Sequence, residues 1–122
     1  MYELVLRTFD RNVDACEIIK KAIAKYCLHS FYGKKLDTKN EETHMFVCEI
    51  EAKRRFEHKA SLNPYANTFP PHVIVSMTIL VCKKSDSVEV SLIVSSDDHQ
   101  LVNETFVPEL VENGFKIKEK NV

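Results

Sequence analysis

The stretch His72-Val73-Ile74-Val75-Ser76-Met77-Thr78-Ile79-Leu80-Val81-Cys82 alternates without interruption, and the reading of the whole chain turns on it. Val73, Val75, Met77, Ile79 and Val81 make one face wholly apolar, while Ile74, Ser76, Thr78, Leu80 and Cys82 make the other mixed. A strand apolar on both sides is usually central in its sheet. Lys83-Lys84-Ser85-Asp86 then supplies a turn. The chain returns over 87–95 with Val88, Val90, Leu92 and Val94 inward and Ser87, Glu89, Ser91, Ile93 and Ser95 outward. Two such runs joined by four polar residues predict an antiparallel hairpin.

Working outward, residues 2–9 alternate as a first strand, and Asp10-Arg11-Asn12 offers a turn and a helix N-cap. Val13, Cys16, Ile19, Ile23 and Tyr26 then recur at helical spacing, which predicts an amphipathic helix ending near His29. Residues 30–42 are polar, contain Gly33 and read as a long loop. Residues 45–56 carry both strand-like alternation and the helix-like pairs Glu49/Lys53 and Glu51/Arg55. The β-rich run His44-Met45-Phe46-Val47-Cys48-Glu49-Ile50 favours a strand. Prolines and asparagines make 62–71 an irregular connection.

On the far side of the hairpin, Asp97 and Gln100 resemble a capping box. A helical stripe follows through Leu101, Val102, Thr105, Phe106, Val107, Leu110 and Val111, with a break expected near Phe106 because of Pro108. Asn113-Gly114 closes it, and Phe115, Ile117 and Val122 suggest a short last strand. The predicted order is β-α-β-β-β-α-β. That order specifies a single α+β domain over residues 1–122, a two-layer sandwich with a mainly antiparallel sheet and two helices on one face, a ferredoxin-like variant.

Composition narrows the function classes. The 122 residues hold 17 Lys plus Arg against 18 Asp plus Glu, a formal net charge of −1 that removes the simplest case for a whole-protein nucleic-acid or membrane binder. Gly33 and Gly114 stand alone, so no glycine-rich loop can cradle a phosphate. The start of the chain, with Glu3 and no long apolar run, does not read as a secretory signal. The apolar run 73–82 is about half the ~20 residues a membrane-spanning helix needs. Cys16, Cys27, Cys48 and Cys82 are scattered in apolar contexts, the pattern of reduced thiols in a cytoplasmic or nuclear protein. On that reading the sequon Asn103-Glu104-Thr105 is a chance match.

Reactive constellations are weak. Zinc ligands come in close local pairs, and no two cysteines lie two to four residues apart. His44 and Cys48, on a strand, would stand roughly 13 Å apart. Cys27 with His29, or Cys82 with His72, could be drawn as nucleophile and base, but 72 and 82 end one strand and Cys27 belongs to an apolar helix face. Asp97-Asp98 reads as helix capping and Glu41-Glu42 as solvated loop charge. The sequence therefore assigns no catalytic, cofactor or metal residue.

Two binding readings remain. The outward face of the hairpin, with Ile74, Thr78, Leu80 and Ile93, is flat and partly apolar, a surface suited to a protein partner or a second copy of the chain. The expected function is a small non-enzymatic interaction or assembly subunit that binds through a sheet face or edge. The alternative is a nucleic-acid-binding module holding an RNA or DNA backbone on Lys34, Lys35, Lys53, Arg55 and Lys59. Against it, the outward strand positions lack the aromatic residues that stack bases on an RNA-reading sheet. Residues 85–115 hold seven acids with no Lys or Arg, so the charge is split along the chain and could orient a partner.

Overall fold

The valine-rich stretch forms β4 (His72–Lys83), which turns and returns as β5 (Val88–Val94). The Lys84 N–H donates to the Ser87 carbonyl across the turn at 2.8 Å. Met77 stands opposite Val94, Ile79 opposite Leu92 and Val81 opposite Val90, so the two apolar rows share one face. This is a computed structural model, and it describes residues 2–36, 41–53, 72–94 and 99–121.

The hairpin is the middle of a larger sheet. β3 (Glu42–Lys53) pairs with β4, and β1 (Tyr2–Thr8) pairs with β5. β2 (Cys27–Leu36) lies outside β3, and β6 (Lys116–Asn121) lies outside β1. The order is β2-β3-β4-β5-β1-β6, with every neighbouring pair antiparallel.

Helices cover one face. α1 (Ala15–Tyr26) is capped by Asp14, whose Oδ1 accepts the Glu17 N–H at 3.1 Å. The expected cap at Asp10-Arg11-Asn12 instead forms the preceding turn, where Asp10 Oδ1 accepts the Asn12 N–H. Ala15, Cys16, Ile19, Ala22 and Ile23 are buried against the sheet. The second helical stripe divides into α2 (His99–Glu104) and α3 (Phe106–Glu112). The break falls at Thr105, whose hydroxyl donates to the Leu101 carbonyl. Pro108 thereby sits in the first turn of α3, where its missing N–H leaves no helical bond unmade. Gly114 adopts φ +91°, and the Gly114 and Phe115 amides donate to the carbonyls of Val111 and Leu110. This αL cap buries Phe115 with Leu110 in the core.

The α+β class and the antiparallel sheet therefore stand, with three corrections. The loop expected over 30–42 is β2 as far as Leu36. The chain passes straight from α1 into β2 at Cys27, so the helix ends at Tyr26 and not near His29. The element order gains a strand, and its spatial order differs from a ferredoxin-like arrangement. The ambiguous segment resolves as strand β3, because its neighbours supply ladder bonds on both sides. The capping-box Asp97, the 62–71 connection and residues 54–58 lie outside the described residues. Among the described residues no helix is long and apolar enough to cross a membrane.

Candidate functional site

The register assembles the face opposite the helices. One cross-strand row runs Phe31, Val47, Thr78, Ile93, Glu3, and the next runs Gly33, Met45, Leu80, Ser91, Val5. Thr78, Leu80 and Ile93 thus share one surface as expected, and each is half-buried. Ile74 stands on the same strand opposite Glu51. Burial is graded across this face. Val5 and Glu89, toward β1, are buried, whereas Phe31 is 73% exposed and Met45 43% exposed toward β2. In these rows the most accessible apolar side chains are therefore Phe31 and Met45, neither of them among the candidates read from the sequence, Phe31 because its strand was expected to be a loop.

The basic candidates do not form one patch along the backbone. Lys34 and Lys35 stand opposite His44 and Thr43 at one end of β3, and Lys53 stands at the other end, opposite His72. The ten residue steps from Thr43 to Lys53 span roughly 33 Å of strand. Arg55 and Lys59 lie outside the described residues.

Nor is the acidic stretch a bare acidic surface. Glu89, 7% exposed, is held by Lys84 and by Lys118 at 2.7 Å. Burial pushes its carboxyl up, but hydrogen bonds from Lys118 and Lys84 outweigh it and hold the group below its ordinary value. Glu109 accepts from Lys25 at 3.0 Å and from the Tyr26 hydroxyl at 3.1 Å, which also keeps it ionised to lower pH.

On the helix side, β2 and β3 build a polar chain that sequence spacing did not reveal. His44 is buried with both ring nitrogens engaged, Nδ1 with the Tyr32 hydroxyl and Nε2 with Glu42 Oε1 at 2.9 Å. With the Glu42 carboxylate ionised, Nε2–H donates to it, and a neutral His44 accepts the Tyr32 proton at Nδ1. Tyr32 also packs on Phe46 and lies under Lys20 of α1, whose Nζ is 5.6 Å from the ring. Glu42 is a structural acceptor and not the free loop charge expected of it. This arrangement satisfies a buried imidazole and ties the outer strand to its neighbour.

The cysteines separate by face. Cys27 stands opposite Ile50 on the core side, and His29 opposite Glu49 on the open side, so these two do not meet as nucleophile and base. Cys27 instead stands diagonal to Cys48 on the core side, and interaction with that thiol holds Cys27 below its ordinary value although burial opposes it. Cys82 is on the open face, where it accepts from Thr43 Oγ1 at 3.8 Å. Cys16 is on the buried face of α1, and burial pushes its thiol up.

Comparison of the chain with protein-family models, with curated proteins and with solved structures finds no match.

Proposed function

We propose that this protein is a non-enzymatic assembly subunit that associates with a second copy of itself along β2. The observation that carries the reading is the composition of that edge. From Cys27 to Gly33 the strand holds no Lys, Arg, Asp or Glu, and it ends in Lys34 and Lys35. Phe31 and Tyr32 project from its two faces, both exposed. Among the described residues no strand pairs with the outer side of β2, and an unpaired strand edge presents a row of backbone donors and acceptors that a second strand can complete.

Antiparallel self-pairing centred on Phe31 satisfies charge and face together. It sets Gly33 of one copy opposite His29 of the other and leaves Lys34 and Lys35 beyond this regular pairing, where the bulge at Leu28 begins, so no two lysines of this strand confront each other. Because the pairing is even-numbered, the open faces of both copies lie on one side. The row Ile93, Thr78, Val47, Phe31 then continues across the junction into its symmetry mate, with the two Phe31 rings adjacent.

Sedimentation velocity over a concentration series tests this. The expected result is a dimer that Phe31→Glu converts to monomer, since it sets two carboxylates face to face in an apolar strip. A wild-type chain that stays monomeric at every concentration, or a dimer indifferent to Phe31→Glu, overturns the proposal.

A further inference from the structure

The start of β2 contains a register change. Cys27 is opposite Ile50, yet His29 is opposite Glu49, so Leu28 is an extra residue that bulges out of the ladder. Without the bulge, the pairing of the rest of β2 would set Cys27 opposite Glu51, on the open face. With it, Cys27 turns to the core side, diagonal to Cys48 on the neighbouring strand. The bulge is thus what puts the two cysteines on one face of adjacent strands.

We infer that Cys27 and Cys48 are a dithiol pair that closes reversibly to a disulfide by exchange with a low-molecular-weight disulfide such as glutathione disulfide. The division of labour follows from access. Cys27 is half-buried, whereas Cys48 is 1% exposed and belongs to the core. Interaction with the Cys48 thiol holds Cys27 below its ordinary value against the effect of burial, while interaction with Cys27 and burial both push Cys48 up, so Cys27 is the sulfur that attacks first. The C-terminus of α1, which Cys27 caps, works against the thiolate, so proximity and not extreme acidity drives the exchange.

The chemistry balances in two steps. The Cys27 thiolate attacks one sulfur of glutathione disulfide, that S–S bond breaks, and one glutathione leaves as thiolate and takes a proton. Cys48 then gives up its proton and attacks the Cys27 sulfur of the mixed disulfide, expelling the second glutathione. Two electrons pass from the protein to glutathione disulfide, which becomes two glutathione thiols. The bridge ties the end of α1 and the bulge to β3, fixing the edge strand at its root. Closure of the dithiol does not require that the chain self-associate.

Incubation of the folded chain with glutathione disulfide, followed by intact-mass measurement and a non-reducing peptide map, tests the pair. The wild type should become lighter by two hydrogens, with Cys27 linked to Cys48, and should recover its mass with dithiothreitol. Cys48→Ser should halt one step earlier, heavier by one glutathione on Cys27. Cys27→Ser should leave Cys48 unmodified while its circular dichroism stays native. A wild type that retains a stable glutathione adduct on Cys27, or that reacts first at Cys82 with Cys27 untouched, contradicts the pairing. Should Cys48→Ser fail to fold, Cys48→Ala gives the same readout.

Discussion

β2 and β6 terminate the same sheet, yet they solve the edge problem in opposite ways. All six residues of β6 are exposed, and Lys116, Lys118 and Lys120 alternate along it. A second β6 laid antiparallel on it would set lysine against lysine, so the strand protects itself by charge. Lys118 also reaches back to the buried Glu89 and anchors the edge. β2 has no such guard before Lys34, and its polar anchor, Tyr32 to His44 to Glu42, faces the helices and leaves the other face to Phe31. Among the described residues, then, one edge carries its own charged guard, and the other is the edge at which we propose pairing.

The comparison can be broken at several points. The largest effect is expected from Phe31→Glu, which should weaken self-association at least a hundredfold, about 2.8 kcal/mol. Urea unfolding of the resulting monomer should change little, because Phe31 is an exposed side chain whose loss leaves no cavity.

The closed edge is probed by Glu89→Gln, which removes the charge that Lys84 and Lys118 bind. A loss of about 1–2 kcal/mol is expected from urea unfolding near neutral pH. The sign of its pH dependence is fixed by the lowered carboxyl. Its contribution is full above the unfolded-state value of about 4.3 and drains away as pH falls from there through the folded-state value. The gap between wild type and Glu89→Gln should therefore narrow on acidification below about pH 4.3.

A smaller effect should follow from making β6 resemble β2. Lys116→Val with Lys120→Val, in the Phe31→Glu background and with Lys118 kept, should produce a concentration-dependent species in sedimentation that Phe31→Glu alone lacks. Smallest of all, Tyr32→Phe should cost about 0.5–1.5 kcal/mol by removing the partner of His44 Nδ1. It should shift the His44 ring resonances and leave association intact, since Tyr32 points to the helix side.

These contrasts also explain what the sequence could disclose. β4 and β5 were legible because buried strands must alternate, and their valines do so without a break. α1 was legible for the same reason at helical spacing. β2 was not, because an edge strand buries little and so carries no apolar alternation, and Leu28 disrupts the period where the strand begins. Losing β2 meant losing Phe31 as part of the open face and Tyr32 as the partner of His44. Glu89 read as an outward polar residue, because its lysines come from a turn and from a strand 29 residues away. Cys27 and Cys48 meet through a bulge that no spacing rule encodes. In each case the missing information was register, a tertiary property.

Hydrogen exchange separates the two edges most directly. Deuterium uptake by the peptide covering 27–36 should slow as the protein is concentrated, because the outward amides of β2 acquire partners, while uptake by 116–121 should not change. Equal uptake in β2 at dilute and concentrated conditions, or protection arising in β6 instead, would contradict the assignment of β2 as the open edge.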